Sequence, residues 1–120
     1  MARKLLIIDD EKSLRSSLKA FLNIKGYEVA TADNGIDGIE QAQDFKPDLL
    51  LLDLHLSEGI TGLEVLRRMK LINPGLKVVV LTGFCDEEGV AGECYKLGAE
   101  KFLCKPLTAG EIKEALDAVS

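Results

Sequence analysis

Runs in which every side chain is apolar recur along the chain at Leu5-Leu6-Ile7-Ile8, Leu49-Leu50-Leu51-Leu52 and Val78-Val79-Val80-Leu81, each bounded by polar residues. They are too short for helices, and an unbroken apolar run predicts a strand buried on both faces of a parallel sheet. Tyr27-Glu28-Val29-Ala30-Thr31 alternates in character and Lys101-Phe102-Leu103-Cys104 is brief, so these two segments are predicted at the sheet's edges. Helical spacing fills the gaps. Leu14, Leu18, Phe21 and Leu22 fall on one face, with Asp10 or Ser13 available as a cap and Gly26 as a stop. Further helices are predicted over 35–45, over 63–72 before Asn73-Pro74, over 86–97 before Gly98, and over 107–119. The last carries a capping box, Thr108-x-x-Glu111, with Ile112, Ala115, Leu116 and Val119 on one face. The fourth contains Gly89 and Gly92, each costing about 1 kcal/mol relative to alanine, and is predicted to be marginal. Five strand-helix repeats imply an α/β fold, a parallel sheet covered on both faces through right-handed crossovers.

At 120 residues this is a single domain, with no room for a separate output domain alongside it. Lys and Arg total 15 against 20 Asp and Glu, a net charge of −5, which argues against direct nucleic-acid binding because that affinity comes from neutralising phosphates. No apolar run approaches the ~20 residues needed to span a bilayer. Four apolar residues before Asp9 are too few for a signal-peptide core, so a cytoplasmic location is expected. Cys85, Cys94 and Cys104 form no C-x-x-C pair and suit thiols in a reducing compartment.

In a parallel α/β sheet the C-terminal ends of the strands share one edge, where ligands bind. Here the first strand ends in Asp9 and Asp10, the third in Asp53, the fourth in Thr82 and the fifth in Lys105-Pro106. Any one of these has an ordinary explanation as a cap, a turn acid or a surface lysine. Together they place three carboxylates, a hydroxyl and an ammonium at one edge. Clustered carboxylates repel unless a cation joins them, and an all-oxygen site suits Mg²⁺. Asp53 beside a divalent cation is a reasonable phosphoryl acceptor, with Thr82 and Lys105 placed to engage phosphoryl oxygens. Such a transfer needs positioning and charge stabilisation more than a general base.

Four stretches, Ile7-Ile8-Asp9-Asp10-Glu11, Leu50-Leu51-Leu52-Asp53-Leu54, Val80-Leu81-Thr82-Gly83 and residues 97–106 (Leu-Gly-Ala-Glu-Lys-Phe-Leu-Cys-Lys-Pro), resemble the receiver domain of two-component response regulators over essentially the whole chain. The resemblance implies a flavodoxin-like three-layer sandwich with strand order 2-1-3-4-5 and five helices. It implies Asp53 as phosphoacceptor and Asp9, Asp10, Asp53 and the backbone carbonyl of His55 as the Mg²⁺ site. It also implies a cis bond before Pro106. Phe102 takes the family's switch-aromatic place, coupled to Thr82, although an ordinary core aromatic explains it equally. His55 and Phe84 flank the path of hydrolytic water: Phe84 is expected to hinder it, and His55 to block or orient it. The implied partners are a histidine kinase or histidine phosphotransfer protein and a downstream output domain or effector. The last two helices and last strand are a candidate homodimer face.

The pattern departs from the family at Phe102, where tyrosine is commoner and would carry a hydroxyl, and in the loop after Asp53. Ser57 stands where a proline is usual, and Gly62 comes nine residues after Asp53 in place of eight, so the loop at 57–61 reads as one residue longer. Three rival functions fit less well. A haloacid-dehalogenase-like enzyme wants a carboxylate two residues after the nucleophile, where His55 stands. A flavodoxin-like carrier wants a phosphate cradle where Asp9-Asp10-Glu11 would repel phosphate. A receiver fold that works without phosphorylation has no need of the full set of site residues.

Overall fold

The computed structural model describes residues 3–83 and 87–120. Phe84, Cys85 and Asp86 lie outside the described residues, so the expected hydrolysis-tuning role of Phe84 and the expected start of the fourth helix at residue 86 fall there too. Strands β1 (Arg3–Ile8), β2 (Tyr27–Ala32), β3 (Leu49–Asp53), β4 (Lys77–Thr82) and β5 (Lys101–Cys104) alternate with helices α1 (Lys12–Ile24), α2 (Gly35–Phe45), α3 (Gly62–Ile72), α4 (Val90–Lys96) and α5 (Ala109–Val119). All pairings are parallel, in the order β2-β1-β3-β4-β5, with the two segments predicted as edges at the edges.

The apolar runs form the central strands because both faces of each are covered. Leu6, Ile8, Leu50, Leu52, Val78 and Val80 point to one side and meet Val65, Leu66 and Met69 of α3 and Val90 and Cys94 of α4. Leu5, Ile7, Leu49, Leu51, Val79 and Leu81 point to the other and meet Leu18 and Leu22 of α1 and Ile112 and Leu116 of α5. The period-2 alternation thus divides one hydrophobic run between two cores, and each fully buried leucine contributes roughly 1.5–3 kcal/mol. Cys94 is buried and its thiol is pushed up to about 11 by that burial and by neighbouring Glu93, which leaves it unreactive; Cys104 is exposed.

Helix termini differ from expectation in two places. Helix α1 starts after Glu11, whose side chain makes no capping bond, and neither Asp10 nor Ser13 caps it. Asp10 instead accepts a hydrogen bond from the backbone N–H of Ser57, and is committed to the sheet edge. Helix α4 begins at Val90, with Gly89 at φ 81° as its N-terminal boundary. A left-handed residue cannot sit inside a right-handed helix, so Gly89 ends the turn before α4. The capping box of α5 forms as predicted, Thr108 Oγ1 accepting from Glu111 N and Glu111 Oε1 from Thr108 N.

Candidate functional site

β1, β3 and β4 are hydrogen-bonded neighbours in register, with Ile8 beside Leu52 and Asp53 beside Leu81. This alignment brings their C-terminal ends level. Asp9 follows β1, Asp53 ends β3, and one carboxylate oxygen from each of Asp9, Asp10 and Asp53 lies within 4.8 Å of the others. Asp9 and Asp53 are buried, at 3 % and 5 % exposure, whereas Asp10 faces solvent. Lys105, just past β5, reaches both buried acids: its Nζ is 3.2 Å from Asp9 Oδ2 and 3.4 Å from Asp53 Oδ2. The Lys105–Pro106 peptide is cis, and Lys105 N donates to the Thr82 carbonyl across the edge of the sheet.

These contacts explain the electrostatics. Burial pushes the Asp53 carboxyl above its usual range and the Asp9 charge adds to this; a hydrogen bond from His55 N and the nearby Lys105 charge pull the other way without cancelling it. For Lys105, burial alone would favour the neutral amine. The charges and hydrogen bonds of Asp9 and Asp53 outweigh it and hold the ammonium above its usual value. Asp9 is also tied to the start of α1, accepting from Glu11 N at 2.9 Å through its side chain and from Arg15 Nη1 at 2.7 Å through its carbonyl. The three acids supply only oxygen donors, one of them open to solvent, and so suit a hard cation that keeps water in its shell.

The loop after β3 builds the rim. Gly62 retains a structural job despite its altered spacing. Its N–H donates to the Leu54 carbonyl at 3.1 Å, and a Cβ there would fall 2.6 Å from that oxygen and 2.8 Å from the carbonyl oxygen of Asp53. Only glycine lets α3 begin this close to the strand. The Ser57 amide that bonds Asp10 is one that proline could not supply, so the substitution of the usual proline has a direct consequence at the site.

Thr82 is fully buried at the end of β4. Its Oγ1 lies 3.0 Å from His55 Nδ1, while His55 Nε2 lies 3.2 Å from Glu87 Oε1. The family resemblance points to His55 for its backbone carbonyl and its expected place beside the hydrolytic water. The contact of its ring with Thr82, and that with Glu87, have no signal in the sequence. Glu87 stands in a polar turn 32 residues from His55, and no local pattern distinguishes it from a solvated acid. Phe102 is half-buried and packs against the core cluster to which Val90, Cys94 and Ala99 belong. A cavity of about 490 Å³ lies far from this chemistry, between α2 and α3 near the opposite edge, lined by Ile39, Ala42, Met69, Ile72 and Leu76 among others.

Residues 5–117 match the sequence profile described as the response regulator receiver domain. The chain belongs to that family. This receiver domain is 34% identical to sporulation initiation phosphotransferase F of Bacillus subtilis over 97% of its own length and 92% of that protein's. It is 32% identical to the chemotaxis protein CheY of Thermotoga maritima, covering 100% of this chain and 99% of the other. Among solved structures, a response regulator from Burkholderia pseudomallei with a phosphorylated aspartic acid, calcium ion and citrate superposes with a TM-score of 0.87 at 29% identity, over 98% of this chain and 66% of that one. Receiver domains are signalling modules of two-component systems, working with histidine kinases or phosphotransfer proteins and with output domains.

Proposed function

We propose that Asp53 accepts a phosphoryl group from a phosphohistidine on a histidine kinase or phosphotransfer protein, and that residues 1–120 act as one receiver domain. The observation that carries this reading is the meeting of Asp9, Asp10 and Asp53 at one sheet edge with Lys105 against the two buried members. Asp9, Asp10, Asp53 and the His55 carbonyl would hold Mg²⁺. When bound, the ion offsets the negative charge of the carboxylates and of the incoming phosphoryl oxygens. An Asp53 carboxylate oxygen attacks phosphorus, the P–N bond breaks, and its electron pair leaves on the donor imidazole. Lys105 neutralises a phosphoryl oxygen and the Thr82 hydroxyl donates to another. Thr82 then draws toward Asp53 and Phe102 turns inward, shifting the population between two packings of the face that a downstream effector reads. Phe84 hinders the water that ends the signal and His55 blocks or orients it, so replacing Phe84 with alanine should speed loss of the phosphoryl group.

The decisive experiment is intact-mass measurement after incubation with acetyl phosphate and Mg²⁺. Wild type should gain one phosphoryl increment, and Asp53→Asn and chelator-treated samples should not. An unchanged wild-type mass counts against phosphorylation altogether, and an equal gain by Asp53→Asn places the acceptor elsewhere.

A further inference from the structure

We infer that Glu87 is a positioning residue that controls Thr82 through the ring of His55. The proposal rests on the reading of Thr82 as a ligand of the phosphoryl group on Asp53. It concerns what must be given up when that contact forms.

The hydrogen-bonding capacity of each group fixes the direction of each contact. An ionised carboxylate only accepts, so the 3.2 Å contact between Glu87 Oε1 and His55 Nε2 requires a hydrogen on Nε2. A neutral imidazole has one N–H, and fixing it on Nε2 makes Nδ1 an acceptor. The 3.0 Å contact from Nδ1 to Thr82 Oγ1 is then donated by the threonine hydroxyl. That hydroxyl has a single hydrogen, and in this arrangement His55 uses it. A phosphoryl oxygen on Asp53 needs the same hydrogen, because it too can only accept. The chain Glu87 to His55 to Thr82 therefore competes with phosphorylation and favours the unphosphorylated arrangement. Thr82 is fully buried, whereas Glu87 is half-exposed and replaceable without disturbing a core. The backbone of His55 is independently anchored, its N–H donating to Asp53 Oδ1 at 3.1 Å, so the residue stays beside the acceptor whatever Glu87 does.

The chain contains a single histidine, which makes the test direct. In protein labelled with ¹⁵N-histidine and kept in mildly alkaline buffer, the unphosphorylated wild type should show the hydrogen on Nε2. Glu87→Ala should lose that preference and Glu87→Gln, which keeps an acceptor oxygen, should largely retain it. Binding of beryllofluoride with Mg²⁺, an equilibrium mimic of phosphorylation, should be about two- to fivefold tighter in Glu87→Ala, the range of one exposed charged contact. The gain should vanish in a Thr82→Ala background, since the two residues act through one hydrogen. A hydrogen on Nδ1 in wild type, or an equal gain with and without Thr82, overturns the relay. Both results are independent of whether acetyl phosphate modifies Asp53, so failure of the relay is distinguishable from failure of the acceptor assignment.

Discussion

At the level of single residues, the charge on Lys105 can be tested apart from any phosphoryl transfer. Without a cation it is the counter-charge for two carboxylates that burial would otherwise leave facing each other. Lys105→Met should therefore cost about 1–3 kcal/mol in metal-free buffer, less than for a fully buried pair because the lysine side chain is a quarter exposed. Urea unfolding with and without Mg²⁺ checks this: the metal should restore most of the loss, and an equal deficit in both buffers would contradict it. Gly62 offers a steric test at the same scale. A methyl group there meets the backbone of Leu54 and Asp53, which cannot swing aside, so Gly62→Ala should destabilise by about 1–3 kcal/mol. Asp9, Asp53 and Thr82 are legible in the sequence because each closes a strand whose apolar run is unmistakable, and Lys105 because it follows the brief fifth strand directly before Pro106. Glu87 is not, because its meaning lies in a contact that only the folded chain makes. The role of Ser57 was invisible for the same reason: what matters there is a backbone N–H, and the side chain gives no sign of it.

Individual elements vary in how firmly local chemistry holds them. Helix α3 is secured at its start, where Thr61 Oγ1 accepts from Glu64 N and the Glu64 carboxylate accepts from Arg67 and Arg68. Hydrogen bonds from those two guanidinium groups, with their charges, lower the Glu64 carboxyl to about 2 from an ordinary 4.5. A depressed carboxyl adds stability above its unfolded value and loses it as pH falls through the folded one. The advantage of wild type over Glu64→Gln should be full above pH 4.5 and shrink steadily toward pH 2, as read by denaturant titrations across that range. Helix α4 is the weak element: seven residues long, with no side-chain cap among the described residues and an exposed glycine inside it. A Cβ at Gly92 meets nothing within 4 Å, so Gly92→Ala should stabilise the protein by about 0.5–1 kcal/mol and slow amide exchange within α4. The glycines revealed the weakness of this helix in advance but not its start. Position 89 requires a positive φ that sequence spacing alone does not distinguish from a helical glycine.

At the scale of the whole molecule, strand order and register turn residues scattered along the chain into one charged edge on an otherwise apolar sheet. The net charge of −5 is therefore unevenly distributed, with three carboxylates concentrated within 4.8 Å at that edge. A cation bound there stabilises the folded state, because in the unfolded chain Asp53 stands 43 positions along from Asp10 and no comparable site exists. Mg²⁺ at ten times its dissociation constant should add about 1.4 kcal/mol to unfolding, and the gain should grow with the logarithm of concentration. Asp10 is the acid to remove in testing this. It faces solvent and takes no part in the Lys105 contacts, so Asp10→Asn should leave the fold intact while abolishing most of the Mg²⁺ dependence. Asp44→Asn, which removes an equal charge from the exposed face of α2, should leave the dependence unchanged. Thermal unfolding over a Mg²⁺ series at constant ionic strength separates the two explanations. Equal responses from both variants would mean that Mg²⁺ screens an acidic protein in general and occupies no particular site.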